Sequence, residues 1–177
     1  MKSPLRFYPF LVSAGVFALD RITKQLIRDR VSFWDNHPVI PGFFSIVHTE
    51  NRGAAFGLFA ESTSEWRTFF LIALAAVVML LITTLLLQPW RGGLSATHTL
   101  RTGLALVLGG ATGNVFDRVV RGAVTDFLEF YFGSYQFPTF NVADSAITIG
   151  AGLLLLDMWL SHQRHERHKE SHVSQTD

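Results

Sequence analysis

Nineteen consecutive residues, Phe69 to Leu87, carry no charge. Wound as a helix at 1.5 Å per residue, the run is about 28 Å long, roughly one hydrocarbon core. Arg67 stands just before it and Gln88-Pro89-Trp90-Arg91 just after, so its polar boundaries fall where a bilayer would end. The other account of such a run is a helix buried all round in a soluble core, and a small single domain offers little room for one. We read it as a transmembrane helix, around which the rest of the 177 residues must fold.

Three weaker runs follow the same logic, each with a carboxylate in or beside it. Leu5 to Ile27 is long enough to span if Asp20, Arg21 and Lys24 lie near its exit. Its charged start (Lys2, Arg6) resembles a signal peptide, but Asp20-Arg21 follows at once and no clear small-x-small cleavage site precedes it, so an uncleaved first span is expected. Thr102 to Phe116 is uncharged and rich in glycine, and Phe140 to Leu160 is apolar apart from Asn141, Asp144 and Asp157. These runs predict a mainly α, polytopic membrane protein of four transmembrane helices. Residues 1–177 would form one domain with a polar tail from about 161. Lys and Arg divide seven to eight between the two sides, so the positive-inside count does not orient the chain.

Between the first two spans, Phe43 to Thr49 reads as a strand, followed by a turn at Asn51-Arg52-Gly53 and a short apolar stretch, Ala54 to Phe59. A small sheet on the membrane surface is expected there. Composition narrows the chemistry. The net charge of +1 gives no footprint for nucleic acid, and the absence of Cys excludes disulfides, thiolate zinc sites, iron–sulfur clusters and cysteine nucleophiles. His162, His165, His168 and His172 lie in the charged tail and read as solvated, so no metal and no cofactor are expected.

Five aspartates lie in or beside apolar segments: Asp20, Asp117, Asp126, Asp144 and Asp157. An Asp at the bilayer centre costs about 2.5–3.5 kcal/mol on insertion scales, so each needs a partner or a task. Asp157 falls near the end of the last span and reads as interfacial. The other four fall at the opposite ends of three spans, in one layer. Asn114 and Asp117 are three residues apart, as are Asn141 and Asp144, so on helices each pair shares a face. Asp20 and Lys24 have the spacing of a plain salt bridge. Asp126 and Asp144 lie close enough in sequence for a hairpin to bring their carboxyls together. Two carboxyls meeting away from water cannot both ionise, which is the aspartic-protease device. Proton or cation carriers also place Asp in membranes, and the pattern alone does not separate the two.

Five blocks, taken in order, resemble the lipoprotein signal peptidases (signal peptidase II), which are bacterial membrane aspartic proteases. They are Asp20-Arg21-Ile22-Thr23-Lys24, Asn51-Arg52-Gly53-Ala54-Ala55-Phe56, Gly109 to Arg118, Val124-Thr125-Asp126-Phe127 and Phe140-Asn141-Val142-Ala143-Asp144. The resemblance implies four transmembrane helices, cytoplasmic termini and an extracytoplasmic β-sheet cradle between helices 1 and 2. It implies Asp126 and Asp144 as the catalytic dyad, supported by Asn114, Asp117, Arg118 and Asn141. Asp20, Lys24, Asn51 and Arg52 would be polar positions near the substrate, in contact with it or structural. The implied substrate is a prolipoprotein already bearing diacylglycerol on a Cys, cut just before that Cys in the bacterial inner membrane; nothing in the sequence calls for more than a monomer.

Overall fold

The computed structural model describes residues 7–33, 35–53, 66–88 and 97–173. The charged start at Lys2 and Arg6, the apolar stretch Ala54 to Phe59 and the Arg91 end of the second loop lie outside the described residues. In chain order the elements are α1 (Tyr8–Arg30), β1 (Asn36–Ile40), β2 (Phe44–Asn51), α2 (Trp66–Leu87), α3 (His98–Arg121), β3 (Val124–Phe132), β4 (Tyr135–Gln136) and α4 (Val142–Val173).

Each helix begins or ends where its sequence allows. Pro9 sits in the first turn of α1, where a missing N–H costs nothing. Thr97 caps α3 by accepting the Leu100 N–H at 3.0 Å. Its hydroxyl also donates to Asp157, so that carboxylate is tied to a helix start at the end of the bundle away from the sheet. At the other end Gly122, with φ of 73°, terminates α3 in the left-handed conformation and turns the chain into β3.

The third helix is central and packs against the other three. Its glycines explain the close approach. A Cβ on Gly110 would lie 2.4 Å from the Ala143 carbonyl oxygen of α4, and one on Gly109 would lie 2.7 Å from that of Ser13 in α1. Small residues at such crossings are what membrane helices use, since lipid gives no hydrophobic drive to associate. Ser13 adds a bond from its hydroxyl to the Ala105 carbonyl at 2.8 Å. Two stretches, Thr68–Leu87 and Val142–Arg164, are long and apolar enough to cross a membrane, with mean hydropathy 2.9 and 1.4. Most of their residues face outward, which is not how the core helix of a soluble protein sits. Leu11, Leu19 and Val119 on α1 and α3 are also exposed.

The structure departs from the sequence expectations in three respects. The sheet is not built from the segment between the first two helices alone. Its order is β1-β2-β3-β4, antiparallel throughout, and β3 and β4 come from between α3 and α4. Val124 to Phe127 is buried on both faces, so it lacks the alternation that marks a half-exposed strand. The tail after Leu160 does not leave the last helix, because α4 runs on to Val173. Finally, Asn141 is not on the helical face with Asp144 but in the residue before α4 begins.

Candidate active site

Asp126 reaches its place through the sheet. Thr49 pairs with Asp126 across β2 and β3 just past a bulge, which offsets the register after Ile46–Leu128. The Thr49 hydroxyl donates to the Asp126 carbonyl at 3.2 Å and meets the Thr139 hydroxyl at the same distance. Phe140 then bonds to β3: its carbonyl accepts the Phe127 and Leu128 N–H groups at 3.0 and 2.9 Å, and its own N–H donates to Leu128 at 3.1 Å. Stacking of Phe130 on Phe140 reinforces the bridge. Asn141 follows Phe140 directly, so this bridge stitches β3 to the entry of α4.

The start of α4 is a reciprocal cap. The Asn141 side-chain oxygen accepts the Asp144 N–H at 3.0 Å, and an Asp144 carboxyl oxygen accepts the Asn141 N–H at 3.3 Å. The same Asn141 amide donates to Asp126 at 2.6 Å. Asn51 donates to the other Asp126 oxygen at 3.1 Å. Asn114, from α3, donates to the other oxygen of Asp144 at 2.7 Å. Two carboxyls that are eighteen residues apart in sequence are therefore held side by side by three neutral amides. Asp126 is 2% exposed, and burial together with the neighbouring Asp144 pushes its carboxyl up from 3.8 to about 7 against the pull of the Asn141 and Asn51 bonds. The two act on each other, so they titrate as a pair.

Both carboxyls line a cavity of about 350 Å³ whose other walls include Asn51, Asn114, Arg118, Phe137, Phe140, Thr148 and Ile149. Asp126 and Asn51 also line a wider polar cleft of about 700 Å³ among the strands, together with Arg52, Thr49 and Glu129. Asp126 thus stands where an apolar cavity on the α4 side meets a polar cleft on the sheet side, with Asp144 beside it in the cavity. Arg118 donates to the Gly53 carbonyl at 2.7 Å and so ties the turn after β2 to α3.

Asp20, Lys24 and Asp117 line neither space. Lys24 is wholly buried, its ammonium 3.0 Å from Asp20, 2.9 Å from Asp117 and 3.0 Å from the Asn114 side-chain oxygen. Arg21 completes the cluster, 2.7 Å from Asp117 and 3.2 Å from Asp20. Asp20 also accepts the Ala143 N–H at 3.1 Å, satisfying an orphan donor in the first turn of α4. Gly113 leaves room for that carboxylate, since a Cβ there would come within 2.5 Å of it. The salt bridge read from the Asp20–Lys24 spacing is present, but as one edge of a four-residue ion cluster behind the amides. Asn114 and Asp117 share a helix yet serve different groups, the amide facing Asp144 and the carboxylate facing the cations.

Sequence reasoning passed over Arg21 and Thr49. Arg21 had a usable signal: with Lys24 and Arg28 it recurs at a three- and four-residue spacing, which places all three on one side of α1. Thr49 had none, because its role depends on a bulge.

Comparison with known proteins matches this arrangement to a family. The family model described as signal peptidase (SPase) II covers residues 12–160. The lipoprotein signal peptidase of Solibacter usitatus (strain Ellin6076) is 51% identical over 154 residues, 87% of this chain and 92% of that protein. That of Maridesulfovibrio salexigens is 40% identical over 158 residues, 86% and 96% of the two chains. A bacterial membrane enzyme solved by the in meso method at 2.3 Å superposes with a TM-score of 0.76 at 28% identity, covering 89% of this chain and 90% of that one. The chain belongs to the signal peptidase II family of membrane aspartic peptidases.

Proposed function

We propose that Asp126 and Asp144 are the catalytic dyad, and that this chain cleaves diacylglyceryl-modified prolipoproteins just before the lipidated Cys. The observation that carries the reading is the buried Asp126 carboxyl, shifted to about 7 beside a second carboxyl at the junction of an apolar cavity and a polar cleft. Near neutral pH such a pair holds one proton between two oxygens. The ionised member takes a proton from water as the water attacks the peptide carbonyl, while the protonated member donates to the carbonyl oxygen. A proton then passes to the departing amine, and the pair returns to its starting state. Asn51, Asn114 and Asn141 serve as positioning groups, since each donates to a carboxyl oxygen and none of the three can take its proton.

The substrate's signal segment and its diacyl chains both lie in the bilayer, which suits a reactive pair bordering an apolar cavity. The mature chain leaves on the polar side. The same reading gives four transmembrane helices within one domain, the sheet on the extracytoplasmic side of the bacterial inner membrane, cytoplasmic termini and a monomeric enzyme. It needs no metal or cofactor. The test is to reconstitute the full chain in lipid with a diacylated lipobox peptide and to map the products by mass spectrometry. Cleavage immediately before the modified Cys is expected. Cleavage elsewhere would contradict the specificity, and a pH-gradient-driven proton or cation flux without cleavage would replace the peptidase with a carrier.

A further inference from the structure

Between the sheet-side ends of α1 and α3 lies a groove of about 510 Å³ that shares no lining residue with the two spaces around the aspartate pair. Its floor is apolar: Ile22, Leu26 and Val120 are all more than half or half exposed. Its rim is cationic, with Arg21, Arg28 and Arg121. Along α1 the apolar Ile22 and Leu26 lie between Arg21 and Arg28, and the groove has no acid among its lining residues.

The charges at this rim are not balanced within the chain. Arg21 is taken up by Asp20 and Asp117, and its guanidinium stacks 4.8 Å from the Phe116 ring. Lys24 shares the same two carboxylates. Arg28 has only neutral acceptors, Thr125 at 3.1 Å and Gln25 at 2.9 Å, and makes no ion pair among the described residues. Arg121 is exposed and reaches Asp117 only at 4.0 Å. Four cations thus meet two carboxylates, leaving an excess of two. Asp29, which accepts from Gln25 at 2.8 Å, and Arg30 add one charge of each sign, so the excess of two stands. The C-terminal ends of α1 and α3 favour cations in their last turns, but a helix end supplies only about half a charge, and within one turn. The Nε atoms of Arg21 and Arg28 are both buried without a partner.

We infer that this groove holds an anionic phospholipid, its phosphate between Arg28 and Arg121 and its acyl chains along Ile22, Leu26 and Val120. The inference rests on α1 and α3 lying in the bilayer. An apolar wall beneath paired guanidiniums matches a lipid with its charge at the interface, and guanidinium is the side chain suited to bidentate phosphate contacts. A free anion would use the rim and leave the floor bare.

The test is native mass spectrometry of the delipidated full chain with phosphatidylglycerol or phosphatidylcholine of the same acyl chains. Wild type should retain phosphatidylglycerol preferentially. Arg28→Gln and Arg121→Gln should each weaken its retention about five-fold, the worth of one basic residue at a membrane surface, with phosphatidylcholine unchanged. Excess inorganic phosphate should not displace the lipid. Equal retention of the two lipids by wild type would overturn the inference without recourse to any variant. So would background retention of both, which would also put α1 and α3 outside the bilayer, or displacement by phosphate, which would make the rim a free-anion site. Arg121 is a surface position, so Arg121→Gln carries the variant arm if Arg28→Gln does not fold.

Discussion

Asp20 and Asp117 on one side of Asn114, and Asp126 and Asp144 on the other, belong to one hydrogen-bonded network and are neutralised by opposite means. The first two are wholly buried and meet full cations, Lys24 at 3.0 and 2.9 Å and Arg21 at 3.2 and 2.7 Å. The second two meet amides, with no cation paired to either among the described residues. A buried cation compensates a carboxylate's charge in full, whereas amides and a neighbouring carboxyl do not. On the proposed reading, burial alone does not mark the reactive pair; the identity of the neutralising partner does. Asn114 joins the halves, accepting from Lys24 at 3.0 Å and donating to Asp144 at 2.7 Å, so the ion cluster sets which way the amide points.

The largest expected effect breaks the amide-held pair. Asp126→Asn and Asp144→Asn should each lower the rate of peptide cleavage by at least 10²–10⁴-fold, roughly the range of general acid–base catalysis, because an amide cannot accept the proton. The double variant should be scarcely slower than either single one, as for residues acting as a unit. Both single variants should insert and fold, since they remove a buried charge. Steady-state kinetics on the diacylated peptide, with thermal unfolding alongside, checks all of this.

Breaking the cation-held pair should show the reverse emphasis. Lys24→Met leaves two buried carboxylates with Arg21 and the more distant, exposed Arg121, so stability should fall by about 3–5 kcal/mol, the usual cost of removing one partner of a buried ion pair. Activity should fall as well, because Asn114 loses the donor that orients it. A Lys24→Met enzyme that melts like wild type would show that the cluster carries no structural load.

A third effect is in the pH dependence, and its sign follows from the direction of the shift. The Asp126 carboxyl is raised from 3.8 to about 7, so the folded protein favours its protonated form. That contribution to stability is complete below about pH 4 and is lost as pH rises through about 7. Cleavage should decline over the same alkaline range as the pair loses its shared proton. In Asp126→Asn the corresponding loss of thermal stability between about pH 5 and about pH 9 should be smaller than in wild type. The smallest effects serve as controls. Asp157→Asn, bonded to Thr97 at the far end of the bundle, should cleave at close to the wild-type rate, and a chelator should not change wild-type activity.

Much of this contrast was legible in the sequence, and the rest was hidden for physical reasons. Local signals carried α2, the strand beginning near Phe43 and the Asp20–Lys24 pair, because an uncharged run, alternation and an i,i+4 spacing all act within a few residues. The motif blocks marked Asp126 and Asp144, although spacing alone left a carrier equally open. The link from Lys24 to Asn114 joins residues ninety apart and exists only because glycines let α1 and α3 approach closely. The strand holding Asp126 was hidden by its burial on both faces, and Asn141 was placed on a helix that begins one residue later.

The most direct measurement of the central claim is an infrared titration of the carboxyl groups, made on wild type and on the two dyad variants. One protonated buried carboxyl should persist in wild type near neutral pH and titrate near pH 7. That signal should be lost or moved in both Asp126→Asn and Asp144→Asn and stay in place in Asp157→Asn. A wild-type spectrum with every aspartate ionised at pH 6, or a titration unchanged in both dyad variants, would contradict the claim that amides hold a proton-sharing pair.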